Sequence, residues 1–159
     1  MNLQEHFNYE ISETDLKEFP SGSGVFHIPI LNLKQKLSKD FLSWGTENVK
    51  TQIILRGNEI ITSTSLELNL VFDDMEGNIS QHKFVGAFTF KDSRYVPNDD
   101  LEGIGISEAL KNASKNIGRA YGLFLNSDLS YLPTYTDVKS ETTKPNIKKT
   151  ITKIIKDKS

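Results

Sequence analysis

The sequence predicts an α+β domain: a helix, a three-stranded antiparallel meander, a long helix packed on the sheet, and a flexible basic C-terminal tail. Two observations predict it. Three successive segments alternate apolar and polar residues and are separated by short turn signals. The segments that flank them repeat apolar residues every three or four positions. A length of 159 residues with 36% hydrophobic content suits one compact domain. The chain divides by composition into an N-terminal segment, 1–24, a main domain, 25–128, and a tail, 129–159.

Pro20-Ser21-Gly22-Ser23-Gly24 reads as a loop, and Pro29 makes the short apolar run Val25 to Ile30 an edge strand or an extended lead-in. A helix is expected over 31–43, where Ile30, Leu33, Leu37 and Phe41 recur at helical spacing. The first strand is expected over 48–55, with Val49, Thr51, Ile53 and Leu55 alternating, and Arg56-Gly57-Asn58-Glu59 closes it in a tight turn. The second covers 60–72, with Leu66, Leu68 and Leu70 on one side and Ser65, Glu67 and Asn69 on the other. The third covers 79–90 and carries Phe84, Phe88 and Phe90, which are read as core residues, as are Trp44 and Tyr121. A period of two implies one covered and one wetter face. The last helix is expected over 106–124, and the apolar residues among the lysines of 145–159 suit a short amphipathic helix or a frayed basic arm.

The net charge of −2 conceals an asymmetry: residues 1–102 carry −7 and residues 103–159 carry +5. A basic final third on an acidic body suits either a polyanionic partner or a merely solubilising tail. The chain has no cysteine, which removes disulfides and thiolate chemistry and makes a cytoplasmic location the expectation. No run approaches the ~18 apolar residues of a membrane span, and the first residues do not read as a signal peptide.

The helix over 106–124 carries the functional reading. At about 100° per residue, Ile106, Ala109, Leu110, Ala113, Ile117, Ala120, Tyr121 and Phe124 gather on one face. Lys111, Lys115 and Arg119 fall at about 140°, 180° and 220°, opposite that face. They form a ridge of cations about 6 Å apart, close to the spacing of phosphates along a nucleic-acid strand. No acidic residue is expected within the ridge to relieve its repulsion. Gly118 and Gly122 lie beside it, and their cost of roughly 1 kcal/mol each inside a helix suggests close approach by a ligand or a neighbouring subunit.

The segment Ser107-Glu108-Ala109-Leu110-Lys111-Asn112-Ala113-Ser114-Lys115-Asn116-Ile117-Gly118-Arg119-Ala120-Tyr121-Gly122 resembles the signature helix of the Rad-fifty-two-type single-strand annealing proteins, which include several phage recombinases. Leu31 to Trp44 is similar to that family's first helix and the turn after it, and 48–90 to its meander, so the likeness spans about 25–126. The resemblance implies rings with a basic outer groove that holds single-stranded DNA by its backbone. It implies phosphate contacts for Lys111 and Lys115. Asn112 stands where the family usually has Arg, and Arg119 enters on geometry alone. Arg56, Lys50, Lys83 and Arg94 are further candidates, with ordinary solvated sheet-edge charge as the alternative.

The function expected is therefore non-enzymatic: binding single-stranded DNA and annealing complementary strands in recombination or repair. The partners expected are single-stranded DNA, further copies in a ring, and an exonuclease or single-strand-binding protein; a bacteriophage source is expected on the same ground. No cofactor or metal is expected. His6, His27 and His82 lack metal-ligand spacing, Asp73-Asp74 and Asp99-Asp100 suit turn caps, and no Walker loop or nucleophile elbow is present. Two alternatives stand beside this reading. One is a double-stranded-RNA-binding domain, which shares the α-β-β-β-α order. The other is a small phage inhibitor or adaptor that binds a host protein through the sheet.

Overall fold

The computed structural model describes Tyr9 and residues 11–74, 76–94, 100–123 and 125. It is an α+β fold in which a three-stranded antiparallel sheet carries a helix on one face. Strands β1 (Lys17–Glu18) and β2 (Phe26–His27) form a small antiparallel pair, and helix α1 (Ile30–Asp40) follows. The meander is β3 (Ser43–Arg56), β4 (Glu59–Asp73) and β5 (Ile79–Ser93), in spatial order β3-β4-β5. Helix α2 (Leu101–Lys115) lies on β4 and β5, and a single 3-10 turn, Arg119–Tyr121, comes after it. The expected tail, 129–159, lies outside the described residues.

The alternation expected of β4 is seen along its length. Ile60, Thr62, Thr64, Leu66, Leu68, Leu70 and Phe72 are buried on the helix side, while the residues between them are half-exposed. A strand that spends every second side chain in this way fixes its register, because a slip of one residue would turn the leucines out to water. The core then joins these leucines to Leu33, Leu37 and Phe41 from α1 and its end, to Ala109, Leu110 and Ala113 of α2, and to Ile117 and Tyr121. Phe84, Phe88 and Trp44 pack against it as half-buried residues, and the Trp44 indole N–H also donates to Ser38 Oγ at 2.9 Å.

Strand β3 begins at Ser43, five residues before the expected start. A bulge between Glu47 and Lys50, with Asn48 at φ 51°, shifts the alternation by one residue. Trp44 and Thr46 face the helix side before it; Thr51, Ile53 and Leu55 do so after it. That change of frame hides the first half of the strand from a period-two reading. The β3–β4 turn is the two-residue loop Gly57-Asn58, with Gly57 at φ 59°. Residues 11–24 make contact with the main domain. Ile11 is buried in the same core, Leu16 packs against it, and β1 is hydrogen-bonded to β2.

Gly86 sets how closely α2 approaches the sheet. A Cβ there would collide with the Ala109 carbonyl oxygen and come within 2.6 Å of the Ala113 backbone nitrogen. The obstacle is helix backbone, which cannot swing aside as a side-chain tip can. Gly86→Ala is therefore expected to destabilise the fold by about 3 kcal/mol. Gly45→Ala, where nothing lies within 4 Å, is expected to change stability by less than about 1 kcal/mol. Urea unfolding of both variants checks the pair, and equal midpoints would refute the close contact.

Candidate nucleic-acid interface

Helix α2 is offset from the helix expected over 106–124. It starts five residues earlier, at Leu101, because Asp100 caps it: its carboxylate accepts the Gly103 N–H at 2.8 Å. The absence of a side chain on Gly103 leaves room for that carboxylate. It ends at Lys115, shortly before Gly118 turns the chain at φ 146°, and Gly122 at φ 89° closes the 3-10 turn that follows; L side chains rarely take either conformation. The two glycines expected to bare helix backbone to a ligand or a second subunit instead lie beyond the helix, at the two ends of the 3-10 turn. Arg119 consequently sits half-buried in the 3-10 turn, outside the line of Lys111 and Lys115, and the three-cation ridge is not formed.

The ridge is also not free of acid. Glu108 lies at about 200° by the same angular count, among the lysines, and Lys111 Nζ pairs with its Oε1 at 2.5 Å. Only 19% of the Lys111 side chain is exposed. Asn112 faces the sheet edge: its Nδ2 donates to the Ala87 carbonyl at 2.8 Å, and its Oδ1 accepts from Lys115 Nζ at 3.2 Å. Asn116, which sequence reasoning passed over, repeats this on the Val85 carbonyl at 3.2 Å. Both asparagines thus hold α2 to β5, so Asn112 is a structural tie, with its amide already committed. Lys115 itself is exposed.

The other candidates stand elsewhere. By register, Lys50, Arg56 and Lys83 point from the sheet face remote from α2. Lys83 is neutralised there by Glu47 at 2.7 Å and Glu67 at 3.5 Å. The hydrogen bond to Glu47, and then their mutual attraction, raises the lysine pKa and lowers that of the carboxylate. Arg94 follows β5 and lies at the β3–β4 turn, where its backbone N–H donates to the Asn58 carbonyl at 2.9 Å. The eight residues expected to bind DNA therefore do not share one surface.

What the fold does bring together is Lys111, Lys115 and His27. They line a cleft of about 100 Å³ between β2 and α2, with Phe26, Ile28 and Leu33 on one wall and Tyr121, Gly122 and Leu125 on another. Glu108 also lines the cleft. Tyr121 ties this wall to α1: its hydroxyl donates to Asp40 Oδ2 at 2.8 Å, and Lys36 reaches the same oxygen at 3.0 Å while lying over the ring. Burial, and then the negative Asp40, raises the tyrosine pKa well above its ordinary 10.0. His27 reports the potential of the cleft. Burial first, and then the charge of Lys111, lowers its pKa below 6.5; Lys17 acts in the same direction and Glu108 against it. Nothing in the spacing of the sequence links His27 to Lys111, since 84 positions separate them. Among the described residues, no group of three or more His, Asp or Glu side chains gathers as a metal site. Asp74 instead caps the β4–β5 turn, accepting the backbone N–H groups of Glu76 and Asn78. No family model matches the chain, and no curated protein matches it either.

His27 is expected to titrate below 6.5 in the folded protein, and Lys111→Ala to move its midpoint upward. Folded His27 takes up its proton less readily than the unfolded chain does. The stability it contributes is therefore complete above about pH 6.5 and declines as pH falls toward the folded midpoint. Histidine NMR titrations of the two proteins measure both effects. A midpoint that stays put in Lys111→Ala would contradict the assignment of the field.

Proposed function

We propose that this protein binds single-stranded DNA by its phosphates and promotes annealing of complementary strands without covalent chemistry, as a homo-oligomer of the ring-forming kind. The observation that carries the reading is the cleft in which Lys111, Lys115 and His27 meet, where burial and then the charge of Lys111 lower the pKa of His27. Lys111 and Lys17 both act on His27, so positive potential outweighs the one opposing carboxylate, Glu108. An anion entering there would relieve the repulsion. The chain continues from Leu125 on the cleft wall into 34 residues carrying seven lysines and four acidic residues. The likeness of 107–122 to the Rad-fifty-two-type signature, and the α-β-β-β-α order around it, support the same reading.

The cleft is smaller than the uninterrupted ridge read from the sequence, and its Lys111 is partly spent on Glu108. Binding is therefore carried by a few phosphates per chain and is strengthened by repetition of the cleft around an assembly. Phosphate contacts give no sequence preference, which leaves recognition to the bases themselves. The start of α2 is acidic, at Asp100 and Glu102, whereas a double-stranded-RNA-binding domain places its lysines at that point.

The test is binding of a labelled oligonucleotide, read by fluorescence anisotropy across a salt series, with annealing of complementary strands followed in parallel. Lys111→Ala/Lys115→Ala is expected to weaken binding about tenfold or more. It should also flatten the slope of log K against log salt by about 1.4, or 0.7 per lost phosphate contact on a single strand. Lys83→Ala, on the far face and already neutralised, is expected to bind as the parent does. Unchanged affinity in the double variant would refute the proposal, and preference for duplex RNA in competition would favour the RNA-binding alternative. Binding should also tighten as pH is lowered from about 7 to about 5.5, because a bound polyanion favours the charged form of His27. His27→Gln is expected to remove that dependence.

A further inference from the structure

The small pair of β1 and β2 has two unlike faces. Its register sets Lys17 opposite His27 and Glu18 opposite Phe26. The Phe19 N–H donates to the Val25 carbonyl at 2.9 Å, which continues the ladder by one step. Side chains alternate across a strand, so Lys17, Phe19, Val25 and His27 share one face, and Glu18 and Phe26 the other. The second face is used by the fold. Phe26 is buried, and the Glu18 carboxylate accepts the Gly22 and Gly24 N–H groups at 2.9 and 2.7 Å. On the first face Lys17 is exposed and the Phe19 ring is 68% exposed. The Phe19 and His27 rings meet at 88° with centroids 6.0 Å apart, an edge contact that leaves most of the phenyl surface in water. A lone exposed aromatic needs no explanation. This one stands beside Lys17 and His27, on the arm that forms one wall of the cleft.

We propose that this face continues the cleft as a platform for unpaired nucleotides, on which Phe19 stacks one base and Lys17 holds the neighbouring phosphate. The inference rests on the reading of the protein as a binder of single-stranded DNA, and it adds a preference that Lys111 and Lys115 do not supply. Cations alone accept any polyanion of suitable spacing. An aromatic ring beside them favours a strand whose bases are unstacked, because a base inside a duplex already lies between its neighbours. Stacking takes up the flat face of the base and leaves its pairing edge free for a complementary strand. The order Lys115, Lys111, His27, Lys17 runs from α2 across β2 to β1, which gives the phosphates one path over the arm. The potential along it agrees: Lys111 and Lys17 both disfavour the charged form of His27, and Glu108 opposes them. The acid nearest to Lys17 in sequence, Glu18, is turned to the other face and committed to backbone N–H groups. Those bonds also fix the loop that follows Phe19, so the ring is in place before a base arrives.

Two probes separate base from phosphate: a labelled oligothymidylate, and a strand of the same length in which every base is replaced by an abasic spacer. Phe19→Ala is expected to bind the oligothymidylate about tenfold more weakly, with an unchanged salt slope and circular dichroism spectrum, and to bind the abasic strand as the parent does. Phe19→Trp is expected to keep the parental affinity and to lose indole fluorescence as the oligothymidylate is added, beyond any change at Trp44 in the parent. Lys17→Ala is expected to weaken binding of both strands, to flatten the salt slope by about 0.7, and to raise the His27 midpoint. Ile79→Ala, at a side chain 74% exposed at the start of β5, is expected to match the parent on both probes. Parental affinity of Phe19→Ala for the oligothymidylate, equal weakening on the two strands, or no added quenching in Phe19→Trp would each overturn the platform. A parent that binds neither strand would overturn the platform and the annealing reading together. Binding that survives Lys111→Ala/Lys115→Ala but falls in Phe19→Ala would remove the cleft and keep the platform, so the two failures are distinguishable.

Discussion

The close seating of α2 on the sheet at Gly86 is the contact from which the rest of the structure follows. Ala109 and Ala113 present almost no side chain, Gly86 presents none, and helix backbone settles against strand backbone. At that distance the buried leucines of β4 reach Leu110 and Ile117 and close the core. The same seating brings Asn112 of α2 and Asn116 at its C-cap within hydrogen-bonding distance of the β5 carbonyls. Small residues at this crossing thus serve two ends: they bury apolar surface, and they satisfy strand-edge groups that would otherwise need water or another chain.

From that seating comes the difference between the two edges of the sheet. The helix lies over β4 and β5 and touches β3 far less, so its asparagine ties cover part of the β5 edge, while β3 pairs only with β4 among the described residues. The polar face away from the helix shows how the chain manages its charges. Lys83 and Lys91 each lie against glutamate across a strand, so sheet lysines that look like binding residues in sequence are spent on their neighbours. Such exposed pairs add little stability. Their consequence is electrostatic, since they balance the charges of Lys83 and Lys91 on the face where Lys50 and Arg56 also stand.

The cleft owes its form to the place where α2 stops. Had the helix run on through residue 118, the chain would have carried Arg119 outward in line with Lys111 and Lys115. Gly118 and Gly122 turn it instead, bury Ile117 and Tyr121, and bring Leu125 round to face β2. The Tyr121 hydroxyl on Asp40 then fastens this turn to α1, with Lys36 sharing the carboxylate. Lys111 and Lys115 keep their relation as neighbours one turn apart, but they border a cleft with His27 in place of an open ridge.

Local sequence made legible the α+β order, the three strands with their turns, the inward face of β4, and the apolar face of α2 from Ala109 to Ala113. These follow from local periodicity, which is set by how side chains alternate along a strand or recur around a helix. The bulge at Asn48 escaped because one extra residue reverses the alternation without changing composition. The site was legible only as far as Lys111 and Lys115. Glu108 was within reach of the same angular count and was passed over. His27 was not within reach, because its meeting with Lys111 depends on β1 and β2 folding against α2. Tertiary contacts settle which cations are paired and where the asparagines tie α2 to β5. Both depend on which distant groups come within hydrogen-bonding distance, and a residue's neighbours in space are not encoded in the spacing of its neighbours in sequence.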